Sequence, residues 1–220
     1  MSERALDAAE PRCGACRNDE PVFDAARSFG LYTGNLRKAV LRVKFSGDER
    51  LGRHLGGLLV TAWDSLPPLG DSDVLLIVPV PLHSSRLRER GFNQSELLAT
   101  GLVQALTKRN EGTVPQISES CLRRTRSTPP QTGLSVSARR ENLRGALEVA
   151  KPEDVRDRVV ILVDDVMTTG ATLSACARVL KHAQAAKVMG LTLARATPQF
   201  PDFASDESDN TVDGFGREST

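Results

Sequence analysis

The chain has 220 residues, of which 40% are apolar and 26% charged, enough apolar material for a folded core and too much for wholesale disorder. Its formal net charge is only +1, which argues against a uniformly basic nucleic-acid binder and against an acidic solvating chain. The total is a cancellation. The basic residues are 23 Arg and 6 Lys, residues 86–144 carry a local balance of +6, and residues 200–220 carry −5. Arg is the side chain suited to planar, bidentate recognition of phosphate and carboxylate. No apolar run reaches the length of a membrane span, and the N-terminus lacks a signal-peptide apolar segment, so no membrane insertion and a cytoplasmic location are expected.

In chain order, residues 1–22 are small and polar and carry Cys13-Gly-Ala-Cys16. Leu36, Val40, Leu41 and Val43 predict an amphipathic helix capped by Asn35 and ended at Gly47; Asp48 then opens a second helix with Leu51, Leu55, Leu58 and Leu59 on one face. Residues 74–80 form an apolar run of strand length, as a buried parallel strand would. Residues 94–108 read as a helix with Leu97, Leu98, Leu102, Val103 and Leu106 inward, and residues 116–122 as a short strand. Residues 123–144, rich in Arg, Pro and Thr, have no core period and are expected to form a long functional loop leading into a short helix. Residues 159–163 and 188–194 are further strands, with a helix over 172–182 between them. The alternation predicts an α/β fold with a parallel sheet. Residues 197–220 are expected to be a disordered acidic tail.

The most informative string is Val159-Val-Ile-Leu-Val-Asp-Asp-Val-Met-Thr-Thr-Gly-Ala-Thr172. An apolar strand ends in Asp164 and Asp165, a Thr/Gly turn follows, and a helix begins. Ligands of open α/β sheets bind beyond the carboxyl ends of strands, and a helix N-terminus after a Gly turn presents N–H groups to an anion. Thr168, Thr169 and Thr172 add hydroxyls, and Gly170 allows close backbone approach. The two carboxylates are acceptors suited to sugar hydroxyls, so the string reads as a phosphorylated-sugar site. The Walker A and dinucleotide fingerprints are absent.

This segment resembles the phosphoribosyl pyrophosphate motif of type I phosphoribosyltransferases. Val78-Pro-Val-Pro-Leu-His-Ser-Ser-Arg-Leu-Arg-Glu-Arg-Gly-Phe-Asn-Gln94 resembles the signature of the ComF/GntX family of competence-associated phosphoribosyltransferase-like proteins. Leu122-Arg-Arg-Thr-Arg-Ser-Thr-Pro-Pro-Gln131, Arg139-Arg-Glu-Asn-Leu-Arg-Gly145 and Leu41-Arg-Val-Lys-Phe-Ser-Gly47 extend the resemblance over about residues 23–196.

The resemblance implies a type I phosphoribosyltransferase-like domain over 23–196, a parallel sheet flanked by helices with a small N-terminal hood over about 23–64. It implies that Asp164 and Asp165 bind the ribose hydroxyls and that Met167, Thr168, Thr169, Gly170, Ala171 and Thr172 form the 5′-phosphate loop. It places a pyrophosphate loop at 81–90, with Arg86, Arg88 and Arg90 as candidates, and a mobile catalytic loop at 123–140. Arg86, Arg90, Arg123 and Arg126 are the expected catalytic residues, with Arg124, Arg139 and Arg144 as lesser candidates. Magnesium would enter with phosphoribosyl pyrophosphate, held by its pyrophosphate and ribose oxygens. Asn93 and Gln94 could cap a helix or touch substrate, and His83 could donate to an anion or act in acid–base work. Cys13 and Cys16 have zinc-ligand spacing but supply only two of the four ligands that structural zinc needs.

Two functions stay open at this point. One is transfer of phosphoribose from phosphoribosyl pyrophosphate to an acceptor. The other is a non-catalytic role in DNA uptake and natural competence, binding a phosphorylated sugar, a nucleotide or single-stranded DNA. Single-strand binders add stacking aromatics to a basic track, whereas Phe92 is the only aromatic residue between Arg86 and Arg144. That favours a small anionic ligand.

Overall fold

The computed structural model describes residues 21–69, 75–109, 115–126 and 145–197. Cys13, Cys16, Arg139 and Arg144, most of the expected mobile loop and the acidic segment from residue 198 onward lie outside them.

Strand β1 (Ala25–Leu31) is followed by helices α1 (Gly34–Ser46) and α2 (Glu49–Trp63). Then come β2 (Leu75–Pro79), α3 (Ser84–Arg90), α4 (Gln94–Arg109), β3 (Gln116–Ile117), β4 (Leu122–Arg124) and β5 (Leu147–Val149). A 3-10 turn at Pro152–Asp154 leads to β6 (Val159–Met167), α5 (Ala171–His182) and β7 (Lys187–Arg195). Among the described residues the main sheet runs β1-β7-β6-β2-β3 with every neighbouring pair parallel, while β4 and β5 form a separate antiparallel pair.

The two-residue period of the strands divides the core into two faces. Ile77, Ile161, Val163, Leu191 and Leu193 meet α1, α2 and α4, whose Val40, Val43, Leu55, Leu59, Leu98 and Leu102 are buried with them. Leu76, Val78, Val160, Leu162 and Val188 face α5 and the β4–β5 pair, packing on Leu173, Cys176, Leu180 and Leu122. Helices α2 and α4 cross at very short range. A Cβ on Gly101 would lie 2.0 Å from the Arg53 carbonyl oxygen, and one on Gly56 2.3 Å from that of Leu98.

Helix boundaries follow their caps. Asp48 accepts from the Leu51 amide at 2.9 Å and starts α2, and Gly47, at φ 64°, ends α1 in the left-handed region. The N-cap of α1 is Thr33, so the expected cap Asn35 lies inside the helix. The expected strand over 116–122 is two strands: β3 extends the main sheet beside β2, and β4 leaves it to pair with β5.

The segment expected as a hood is built into the main core. Strand β1 pairs with β7 from Ala25 beside Met189 to Leu31 beside Arg195, and Val40, Val43, Leu55 and Leu59 share the core of α4 and the central strands. Asp24 fastens the start of β1: its carboxylate accepts from the Val188 amide at 2.7 Å and from Lys181 Nζ at 2.8 Å. Because all main-sheet strands point the same way, their carboxyl ends and the N-terminus of α5 gather at one edge.

Candidate functional site

Strand β6 delivers Asp164 and Asp165 to that edge. Adjacent strand residues face opposite sides, and the two carboxylates accordingly have different partners. Asp164 Oδ1 accepts from Ser95 Oγ at 3.1 Å and from the Asp165 amide at 2.9 Å. Asp165 is buried, and its Oδ2 lies 3.0 Å from Lys44 Nζ. Burial pushes the Asp164 carboxyl up to about 7, helped by the neighbouring Asp165 charge and opposed by the Asp165 amide, Lys44 and Ser95. Burial alone would lower the Lys44 ammonium, but Asp165 outweighs it, with help from Tyr32 and Asp164, so that the ammonium stays charged above its ordinary range. Tyr32 joins from the end of β1, its amide donating to the Arg195 carbonyl at 2.9 Å. Burial raises its phenol; Lys44 opposes that shift.

Sequence reading missed Lys44 and Tyr32 as members of the site. The string Leu41–Gly47 carried a signal only as part of a family resemblance. What brings Lys44 to Asp165 is the packing of α1 on the sheet through Val40 and Val43, which a linear motif does not show.

After β6 the chain turns through Thr168, Thr169 and Gly170 into α5. Gly170 caps α5 at φ 79°, in the left-handed region that glycine adopts without strain, and the Thr169 hydroxyl accepts from the Ala171 amide at 3.3 Å. Thr168 and Thr172 are half-buried, Thr169 is exposed and Ala171 is buried at the helix start. A Cβ on Gly170 would lie 3.4 Å from the Phe23 ring, so the turn is packed from behind. Met167 closes β6, its carbonyl accepting from the Ala196 amide at 2.9 Å.

Among the described residues the expected arginines do not form one group. Residues 81–83 are loop, but 84–90 are helix α3 and not the continuation of a loop, because His83 caps one end and Gly91, at φ 79°, the other. His83 Nδ1 accepts from the Ser85 amide at 3.2 Å, which gives this histidine a structural role. Arg86 is half-buried and lies within electrostatic reach of Arg124. Arg90 turns the other way: its guanidinium stands 5.7 Å from the Phe45 ring centre and donates to Gln94 Oε1 at 3.3 Å. Arg88 is exposed.

On β4, Arg123 is exposed, whereas Arg124 shares the face of buried Leu122 and feels Cys176, Arg86 and Asp164. Burial holds its guanidinium below the ordinary range. Strand alternation thus turns Arg124 inward, within electrostatic reach of Asp164, and leaves Arg123 exposed. Arg126 is exposed. Asn93 is the cap of α4: its Oδ1 accepts from the Ser95 amide at 3.1 Å, and its Nδ2 donates to the Val80 carbonyl at 3.2 Å. It thereby orients Ser95, the donor to Asp164. Gln94 lies inside the helix, buried, and anchors Arg90.

Among the described residues no group of three or more His, Cys, Asp or Glu side chains could hold a metal ion, and no helix is long and apolar enough to cross a membrane. Cys121 and Cys176 are free and buried, and burial raises both thiols, that of Cys121 to about 11.

The phosphoribosyl transferase domain model matches residues 94–209, more than half of the chain. Competence protein F of Haemophilus influenzae is 33% identical over 186 residues, covering 84% of this chain and 78% of that protein. DNA utilization protein YhgH of Escherichia coli K12 is 32% identical over 186 residues, covering 83% and 77% respectively. Competence protein ComFC of Bacillus subtilis is 26% identical over 179 residues, covering 81% and 67%. The strand–acid pair–Gly turn–helix unit and these matches agree, and the chain belongs to the phosphoribosyl transferase domain family, in its ComF group of competence proteins.

Proposed function

We propose that this protein binds phosphoribosyl pyrophosphate and transfers its phosphoribosyl group to an acceptor, releasing pyrophosphate. The observation that carries the reading is the juxtaposition at the end of β6. Two carboxylates with separate partners stand directly before a turn whose Gly170 opens α5 in the left-handed conformation.

In this reading the amides at the start of α5, with the hydroxyls of Thr168, Thr169 and Thr172, hold the 5′-phosphate. Asp164 and Asp165 accept from the ribose hydroxyls. Ser95 and Lys44 keep the two carboxylates oriented before the ligand arrives. Arg86 and Arg124, on the Asp164 side, balance the charge that builds on the departing pyrophosphate as the bond from C1 breaks. Magnesium, entering with the ligand, would be held by the ligand's own oxygens and water. Once bound there, it would neutralise leaving-group charge.

A second reading is favoured by the relatives' names, which connect them with competence and DNA utilization. In it the same pocket binds a phosphorylated sugar or nucleotide, without transfer, in an accessory role in DNA uptake. Measuring pyrophosphate release with phosphoribosyl pyrophosphate, magnesium and a panel of nucleobases and amines separates the two. Acceptor-dependent release, lost in Asp164→Asn/Asp165→Asn, is the result expected of the transferase. Ligand binding without release across the panel supports the accessory role.

A further inference from the structure

The start of α4 carries three buried polar residues in a row, Asn93, Gln94 and Ser95. Asn93 and Ser95 serve Asp164. Gln94 instead lines a small internal pocket together with Asp165 and the apolar side chains of Val40, Val43, Leu98 and Leu193, where α1 and α4 meet the sheet. The pocket volume is about 10 Å³, the lower bound of the space that one water molecule needs. Asp165 is 7% exposed, and its buried Oδ2 accepts no hydrogen bond among the described residues. Lys44 Nζ, 3.0 Å away, supplies the opposite charge but does not meet hydrogen-bond geometry. A buried carboxylate oxygen without a donor is costly. The orientation of the Gln94 amide follows from Arg90, which has donors only. The atom that receives its bond at 3.3 Å is Oε1, so Nε2, with two hydrogens, is the group left for the pocket.

We propose that the pocket holds one ordered water molecule, which accepts from Gln94 Nε2 and donates to Asp165 Oδ2, and that Gln94 is thereby a positioning residue for the second carboxylate. Water is the occupant that fits, because the site asks for a small group that both accepts and donates. A metal cation would face the Gln94 N–H groups and the Lys44 ammonium. The relay runs in one direction, from Arg90 through Gln94 and the water to Asp165, with a donor meeting an acceptor at each step. The three consecutive residues divide their work: Asn93 and Ser95 fix Asp164, and Gln94 with its water fixes Asp165. The water site stands on this geometry alone, whereas its effect on ligand affinity rests on the phosphoribosyl reading of the acid pair.

High-resolution crystal structures of the full chain and of Gln94→Met test the site. The unaltered protein is expected to show one water within hydrogen-bond distance of Gln94 Nε2 and Asp165 Oδ2. Gln94→Met keeps the length of the side chain, removes the donor and is expected to lack that water. Calorimetry tests the positioning role. Gln94→Met should bind phosphoribosyl pyrophosphate with magnesium about fivefold more weakly, and magnesium pyrophosphate, which has no hydroxyls for the acid pair, within about twofold of the unaltered protein. A pocket without water in the unaltered protein overturns the site. Equal losses for the two probes, or no loss for either, overturn the positioning role. If the unaltered protein binds neither probe, the phosphoribosyl reading fails and the positioning role fails with it, while the crystal structures still decide the water site.

Discussion

Lys44 and Asp165 form a largely enclosed ion pair at the edge of the sheet, their side chains 22% and 10% exposed. Removing one member of such a pair leaves a desolvated charge behind. Lys44→Met is therefore predicted to cost about 3 kcal/mol in urea unfolding at neutral pH. Lys44→Met/Asp165→Asn should recover most of that loss, because neither charge then remains. Asp164 obeys the opposite logic. Its folded-state carboxyl is raised to about 7 from 3.8, so the folded chain holds a proton that the unfolded chain has released. Stability consequently falls as pH rises between those two values and is level above them. Asp164→Asn removes the effect and keeps an oxygen for Ser95 and the Asp165 amide. In the absence of ligand it should exceed the parent by about 2 kcal/mol at pH 8, allowing for the solvent contact of Asp164, and match it at pH 4. A parent whose stability does not change over this range would contradict the burial of Asp164.

At the scale of elements, the helix crossing and the β4 strand carry the clearest consequences. Gly101→Ala should destabilise the fold by about 2–3 kcal/mol although alanine favours helices, because the new methyl group meets the Arg53 backbone at 2.0 Å and backbone yields little. Strand alternation separates Arg124 from Arg123. Arg124→Met is expected to weaken binding of magnesium pyrophosphate about tenfold, while Arg123→Ala leaves it within about twofold. Equal losses would show that the face of β4 does not decide. The same elements show what was legible beforehand. The strand, acid pair, Gly turn and helix from 159 to 182 are contiguous, so period and turn chemistry expose them together. Strand β1 was not legible, because Ala-Ala-Arg-Ser-Phe-Gly-Leu has neither an apolar run nor clean alternation; its place depends on Asp24 and on pairing with β7. The choice between Arg123 and Arg124 needed the partner strand β5, and Lys44 needed the packing of α1, since both follow from contacts between distant parts of the chain.

At the scale of the whole molecule, a net charge of +1 conceals a polarised edge. Lys44 pairs with Asp165, and Arg124 lies within electrostatic reach of Asp164 and Arg86 where the parallel strands end, and the α5 N-terminus adds its amides. Such an edge suits a ligand that is anionic at two ends and carries hydroxyls between them, which describes phosphoribosyl pyrophosphate. The two-layer core beneath it positions every one of these groups on a helix or strand, or on the turn that joins them. The direct test is calorimetric titration of phosphoribosyl pyrophosphate with magnesium into the unaltered protein and into Asp164→Asn/Asp165→Asn. One-to-one binding that the double substitution abolishes or weakens at least about a hundredfold is predicted. No binding by the unaltered protein, or equal binding by both, would contradict the assignment of the β6–α5 junction as the phosphoribosyl site.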